Sequence, residues 1–128
     1  MRILIDTHVL LWAVSGDKRL SRRAHSILSS FENEVFVSAA SAWEIATKHR
    51  LGELPNATAL AGNITAIVQQ LGFRPLPISL GHAERAGALP GEHRDPFDRM
   101  LIAQAQAENL SLISNERLFD AYGIRRIW

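Results

Sequence analysis

Strand-like and helix-like segments alternate along this chain from one end to the other, and that alternation narrows the possible folds more than any other feature. Residues 2–5 (Arg-Ile-Leu-Ile) read as a buried strand ended by Asp6-Thr7, which can cap a helix running from about His8 to Ser15. A short helix is expected over 21–28, a strand over 34–38, and a helix from Ala39 to Leu51 closed by Gly52. Leu60, Ile64, Ile67, Val68 and Leu71 recur at helical spacing and predict one helix over 57–71 ending at Gly72. Residues 75–79 read as a short strand whose prolines suit a sheet edge. An alanine-rich helix over 80–88 follows, then a loop over 90–96, a helix over 97–108, a strand over 110–114, a short helix over 116–122 and a final edge strand over 124–128. The order predicts an α/β fold of three layers, a parallel sheet between helices joined by right-handed crossovers. At 128 residues the chain fits one domain, spanning 1–128.

Composition removes several chemistries. The chain has no cysteine, so disulfides, thiolate metal sites and cysteine nucleophiles are excluded, and any metal must be held by oxygen or imidazole. No apolar run approaches the ~20 residues that span a bilayer. The N-terminus places Asp6 after only Ile3-Leu4-Ile5, too soon for a signal peptide, so a cytoplasmic location with no membrane partner is expected. The net charge of +1 conceals an imbalance, because twelve of the fourteen basic residues are arginine, the side chain suited to forked phosphate contacts. If five of the thirteen acids share one metal pocket, eight remain against fourteen bases, leaving an outer surface basic enough for a nucleic acid.

The positions of the acids give that pocket a place. In an open parallel sheet the functional crevice lies outside the carboxyl ends of the strands. Asp6 ends the first strand and Glu116 follows the strand that closes at Ser114. Asp95 and Asp98 open the helix that leads back into that strand, and Glu44 lies about two turns into the helix region after the second strand. Asp95 has two readings that residues alone leave open, metal ligand or N-cap of the helix that begins at Pro96. Like charges brought together cost several kcal/mol unless protons or cations neutralise them. Carboxylate-rich donors select a hard cation, Mg²⁺ or Mn²⁺, which can activate water against a phosphodiester.

Four segments then resemble a known family. They are Ile3-Leu4-Ile5-Asp6-Thr7-His8, Ser38-Ala39-Ala40-Ser41-Ala42-Trp43-Glu44-Ile45, the block from His93-Arg94-Asp95-Pro96-Phe97-Asp98-Arg99 to Ala105, and Leu112-Ile113-Ser114-Asn115-Glu116. In this order they resemble a PIN domain of the VapC type, the toxins of bacterial toxin–antitoxin pairs. The resemblance covers essentially the whole chain. It implies a five-stranded parallel sheet, Mg²⁺-dependent endoribonuclease activity, often on tRNA or rRNA, inhibition by an antitoxin, and homodimers. It assigns Asp6, Glu44 and Asp98 to the acidic metal site, with Glu116 in the fourth position. That position is more often aspartate, and the extra methylene of Glu116 favours contact through water. Asp95 supplements the site, and Ser114 matches a small hydroxyl residue that hydrogen-bonds the acidic cluster.

Other residues carry competing readings. Arg94, Arg99 and Arg117 flank the acids, where they can hold RNA phosphates or neutralise the carboxylates by ion pairing. Lys48-His49-Arg50 is a basic helix end that the helix dipole explains without RNA. His8 and His93 lie nearest the acids, yet no two histidines have a metal-ligand spacing. Trp12 and Trp43 are expected to pack rather than to stack on bases. The helix carrying Val9 to Val14 is apolar around much of its circumference, which fits burial inside the domain or contact with another chain. The principal rival function is a PIN-like binding module that grips RNA or a partner protein without cutting it. A metal-dependent phosphatase or DNA nuclease on the same scaffold is a further rival.

Overall fold

Ile3, Leu4 and Ile5 are fully buried and form the middle strand of the sheet, β1 (Arg2–Ile5). Successive side chains of a strand point to opposite faces, so a run buried throughout needs cover on both sides. The computed structural model describes residues 1–91 and 95–128, and Glu92, His93 and Arg94 lie outside the described residues. Among the described residues, β1 is joined by β2 (Glu34–Ser38), β3 (Arg74–Leu76), β4 (Ser111–Ile113) and β5 (Arg126–Ile127) in the order β3-β2-β1-β4-β5. Every adjacent pair is parallel, as the alternation of elements predicts. The register sets Ile5 opposite Val37 on one side and Ile113 on the other, so the three central strands end level with one another.

Helices α1 (Thr7–Ser15), α2 (Arg22–Ser29), α3 (Ala39–Arg50) and α4 (Ile64–Gln70) contribute Val9, Leu10, Ala24, Ile45 and Val68 to a core that includes Ile3 and Ile5. Leu4 points the other way and meets Leu101, Ile102 and Ala105 of α6 (Pro96–Glu108), with Leu112 and Phe119. Helix α5 (Leu80–Ala88) packs on α6. The apolar helix α1 covers much of its surface within the chain itself. Val9, Leu10 and Trp12 are buried, and Leu11 and Val14 pack on the same core.

Three elements differ from the sequence expectation. The stretch 57–71 is not one helix: a 3-10 turn at Pro55–Ala57 precedes irregular turns, and α4 covers only Ile64–Gln70. Gly62 takes a left-handed φ of 84° and Asn63 a φ of −126° with ψ of 16°, neither of them helical, so no helix continues through. Leu60 is still buried, so its apolar spacing reports a packed turn rather than a helix face. Strand β3 covers 74–76 rather than 75–79, and it does lie at the sheet edge. The segment expected as a helix over 116–122 is a 3-10 helix over Arg117–Tyr122. Among the described residues no helix is long and apolar enough to cross a membrane.

Candidate functional site

The central strands deliver their ends to one crevice. Asp6 follows β1 directly and N-caps α1, its carboxylate accepting a 2.7 Å hydrogen bond from the Thr7 amide. Its other oxygen accepts from the Ser114 hydroxyl at 2.7 Å, which the pairing of Ile5 with Ile113 makes possible one residue further on. The Ser114 hydroxyl also accepts from the Glu116 amide at 3.0 Å, so one buried serine ties the ends of two strands and the start of the next turn. Helix α3 starts at the end of β2 with Ser38 as its cap. It leans over the same edge, where Thr7 donates from its hydroxyl to Ser41 at 2.9 Å. Ser41 and Glu44, three residues apart on one helical face, are both buried.

Asp95 is the N-cap of α6. Its Oδ1 accepts from the amides of Phe97 at 2.9 Å and Asp98 at 3.3 Å, with Pro96 at the first helical position. Capping explains one oxygen of Asp95 and fixes the first turn of α6, whose Asp98 lies in the field of the other acids. The capping reading is therefore realised, and the ligand reading rests on the same carboxylate also facing the cluster.

Electrostatics tie the acids into one group. The Asp98 carboxyl is pushed up to about 8, first by burial and then by the charges of Asp6, Asp95, Glu44 and Glu116. Burial also raises Asp6, with Glu44 adding to the effect; the Ser114 hydroxyl, His8 and the Thr7 amide pull the other way without cancelling it. All five acids expected at the site thus act on Asp98 or are Asp98 itself. Among the described residues, no group of three or more His, Asp or Glu side chains is placed so that it could hold a metal ion as it stands. The donors are nonetheless all carboxylate oxygens in a partly desolvated crevice, the chemistry that suits a hard cation.

The basic and aromatic residues are placed less simply. Lys48, read from sequence as serving the helix dipole, donates from Nζ to Glu44 at 2.6 Å and lies in the fields of Asp95 and Asp98. The i, i+4 spacing of Glu44 and Lys48 was the available signal, and the dipole reading passed over it. Arg99 donates from Nε to the Ala86 carbonyl at 3.1 Å and from Nη2 to the Leu89 carbonyl, tying α6 to the end of α5. Arg117 is exposed, and Arg94 and His93 lie outside the described residues. Trp12 packs in the core beside Trp128, as expected. Trp43 is 60% exposed, held edge-on against Phe97 at 4.8 Å.

Comparison with known proteins agrees with this fold. The family described as PIN domain matches residues 3–124. Ribonuclease VapC16 of Mycobacterium tuberculosis is 36% identical over 67 residues, an alignment that spans 51% of this chain and 48% of that relative. The chain therefore aligns with about half the length of that curated protein. VapBC2 from Rickettsia felis, solved bound to a DNA fragment from its promoter, superposes with a TM-score of 0.71 at 14% identity, over 99% of this chain and 98% of that one. VapC20 of Mycobacterium tuberculosis, a toxin that cleaves the sarcin–ricin loop, superposes with a TM-score of 0.65 at 18% identity, over 95% of each chain. At those identities the two structures bear on the fold alone.

Proposed function

On the premise that this chain belongs to the PIN domain family, we propose that it is an endoribonuclease that hydrolyses RNA phosphodiester bonds with Mg²⁺, for which Mn²⁺ can substitute, and acts as the toxin of a toxin–antitoxin pair. The observation that carries this reading is the shared field of Asp6, Glu44, Asp95, Asp98 and Glu116, strong enough to hold the Asp98 carboxyl near 8. A protein that only grips a partner has no use for such a concentration of like charge. A divalent cation supplies two things to such a site: it acidifies a water and neutralises charge building on a phosphate.

Asp6, Glu44 and Asp98 are the direct ligands in this proposal, with Glu116 acting through water and Asp95 in support. The chain's own part is to hold these groups still. Ser114 and the Thr7 amide fix both oxygens of Asp6. Asp95 fixes the first turn of α6 and with it Asp98. Asp6 and Glu44 are buried, so water is largely excluded from the ligand side, and the open side is left for the RNA backbone. Arg94 is proposed to hold phosphates there. Arg99 is assigned a share in the same role, although two of its donors are engaged with the backbone at the end of α5.

The proposed partners are RNA (tRNA or rRNA), an antitoxin protein, and a second copy of the chain. The names of the matched proteins support the first two, a ribonuclease, a loop-cleaving toxin and a VapBC assembly. The test is incubation with structured RNA, single-stranded DNA and a phosphomonoester, each with Mn²⁺ or with EDTA. RNA should be cut only with the metal, and Asp6→Asn or Asp98→Asn should slow cutting by at least ~100-fold. Retention of uncut RNA would favour the binding module, and cutting that survives Asp98→Asn would overturn the assignment.

A further inference from the structure

Lys48 is a cation already present in the carboxylate crevice. Its ammonium lies 2.6 Å from Glu44 Oε2, its side chain is 31% exposed, and that of Glu44 is 5% exposed. The charges of Asp95 and Asp98, which come from a helix far along the chain, act on it as well. The pair is therefore not an ordinary solvated i, i+4 contact, because the acid is buried and the base faces a second set of acids. An ammonium on a flexible four-carbon stem can leave by rotation while its backbone stays in the helix. A divalent cation that takes Glu44 as a ligand competes with Nζ for one carboxylate, at Oε2 directly or at the other oxygen through repulsion between two cations held so close together.

We propose that Lys48 is a displaceable counter-ion: it neutralises the carboxylate site when no metal is bound, competes with the divalent cation for Glu44, and gives up that contact when the cation arrives. The proposal rests on the metal reading above. Competition of this kind lowers apparent metal affinity by the fraction of molecules in which Glu44 is already open. It also stabilises the metal-free protein, because the buried Glu44 carboxylate would otherwise lose the ion pair that Lys48 gives it.

The experiment is calorimetric titration of Mn²⁺ into wild type, Lys48→Met and Lys48→Arg at one pH and ionic strength, with thermal melts of each protein in EDTA. Lys48→Met should bind Mn²⁺ about tenfold more tightly and melt at a lower temperature without metal. Lys48→Arg, which keeps the charge and adds a forked contact, should bind no more tightly than wild type. Should Lys48→Met fail to fold, Lys48→Gln replaces it, and a Mg²⁺ titration followed by the Lys48 side-chain NMR signal reads the displacement in wild type directly. Equal or weaker Mn²⁺ binding by Lys48→Met, or a Lys48 signal unmoved by saturating Mg²⁺, overturns the counter-ion role while leaving the metal site intact. Absence of Mn²⁺ binding in all three proteins overturns both the metal reading and this one.

Discussion

Asp98 concentrates the conflict that defines the crevice. Its carboxyl, ordinarily titrating at 3.8, is pushed up to about 8 by burial and by four neighbouring acids. A raised pKa means that the folded state binds this proton more tightly than the unfolded chain. The stabilisation is complete below pH 3.8 and is lost as pH rises to about 8. The metal-free protein should thus weaken across that window, and Asp98→Asn, which cannot acquire the charge, should not follow it. In melts with EDTA the variant should match wild type near pH 4 and exceed it by several degrees near pH 8, corresponding to at least ~1 kcal/mol. Parallel melting profiles for the two proteins would refute this account of Asp98. Ser114 carries a second expectation. Its buried hydroxyl serves both Asp6 and the Glu116 amide, so Ser114→Ala should cost ~1–3 kcal/mol in urea unfolding. Asp6 and Asp98 were legible from sequence because they stand where a strand ends and a helix begins, positions set by the local pattern. Arg99 was less legible, since its partners are two carbonyls of a helix end whose position only the packing of α5 on α6 decides.

The helix α6 links the crevice to the core. Its first turn carries Asp98, and one face of its middle carries Leu101, Ile102 and Ala105 into the core. Gln104 interrupts that apolar face and is fully buried, yet the interruption is satisfied. Ser38 donates to its Oε1 at 2.5 Å, and its Nε2 donates to the Pro77 carbonyl at 3.2 Å. Ser38 is at once the end of β2 and the cap of α3, the helix that holds Glu44, so this amide connects the two acid-bearing helices. Gln104→Leu should remove these contacts, together with a longer one to His82 Nδ1 at 3.4 Å, and leave the Ser38 hydroxyl and the Pro77 carbonyl short of a partner, for a loss of ~2–4 kcal/mol in chemical denaturation. A loss below ~0.5 kcal/mol would mean that the amide is only filling space. Sequence periodicity sees a polar residue at such a position as an exception and cannot supply its partners. The same blindness explains the stretch 57–71, where apolar spacing was right about which residues are buried and wrong about the backbone that buries them. The strands were legible at the level of existence and parallel direction, because runs such as Ile3-Leu4-Ile5 have no other way to be covered; their order in the sheet was not.

At the scale of the molecule, the fold itself concentrates negative charge at one edge of the sheet. Parallel strands ending level at one edge bring Asp6, Glu44, Asp98 and Glu116 into a common field from positions up to 110 residues apart. The unfolded chain has no such field, so the repulsion appears only on folding and any ion that relieves it binds the native state selectively. Ligand binding of that kind stabilises by RT ln(1 + [L]/Kd), ~2.7 kcal/mol at a hundredfold excess over Kd. For a chain of 128 residues this amounts to a rise on the order of 10 °C in melting temperature. Mn²⁺ at saturating concentration should produce that rise near pH 7, EDTA should reverse it, and added Na⁺ at matched ionic strength should not reproduce it, since screening acts weakly on buried charges. Asp6→Asn should abolish most of the shift, because it removes a proposed ligand and part of the repulsion together. A full Mn²⁺-dependent rise in Asp6→Asn would place the ion elsewhere on the protein and separate metal binding from the crevice altogether.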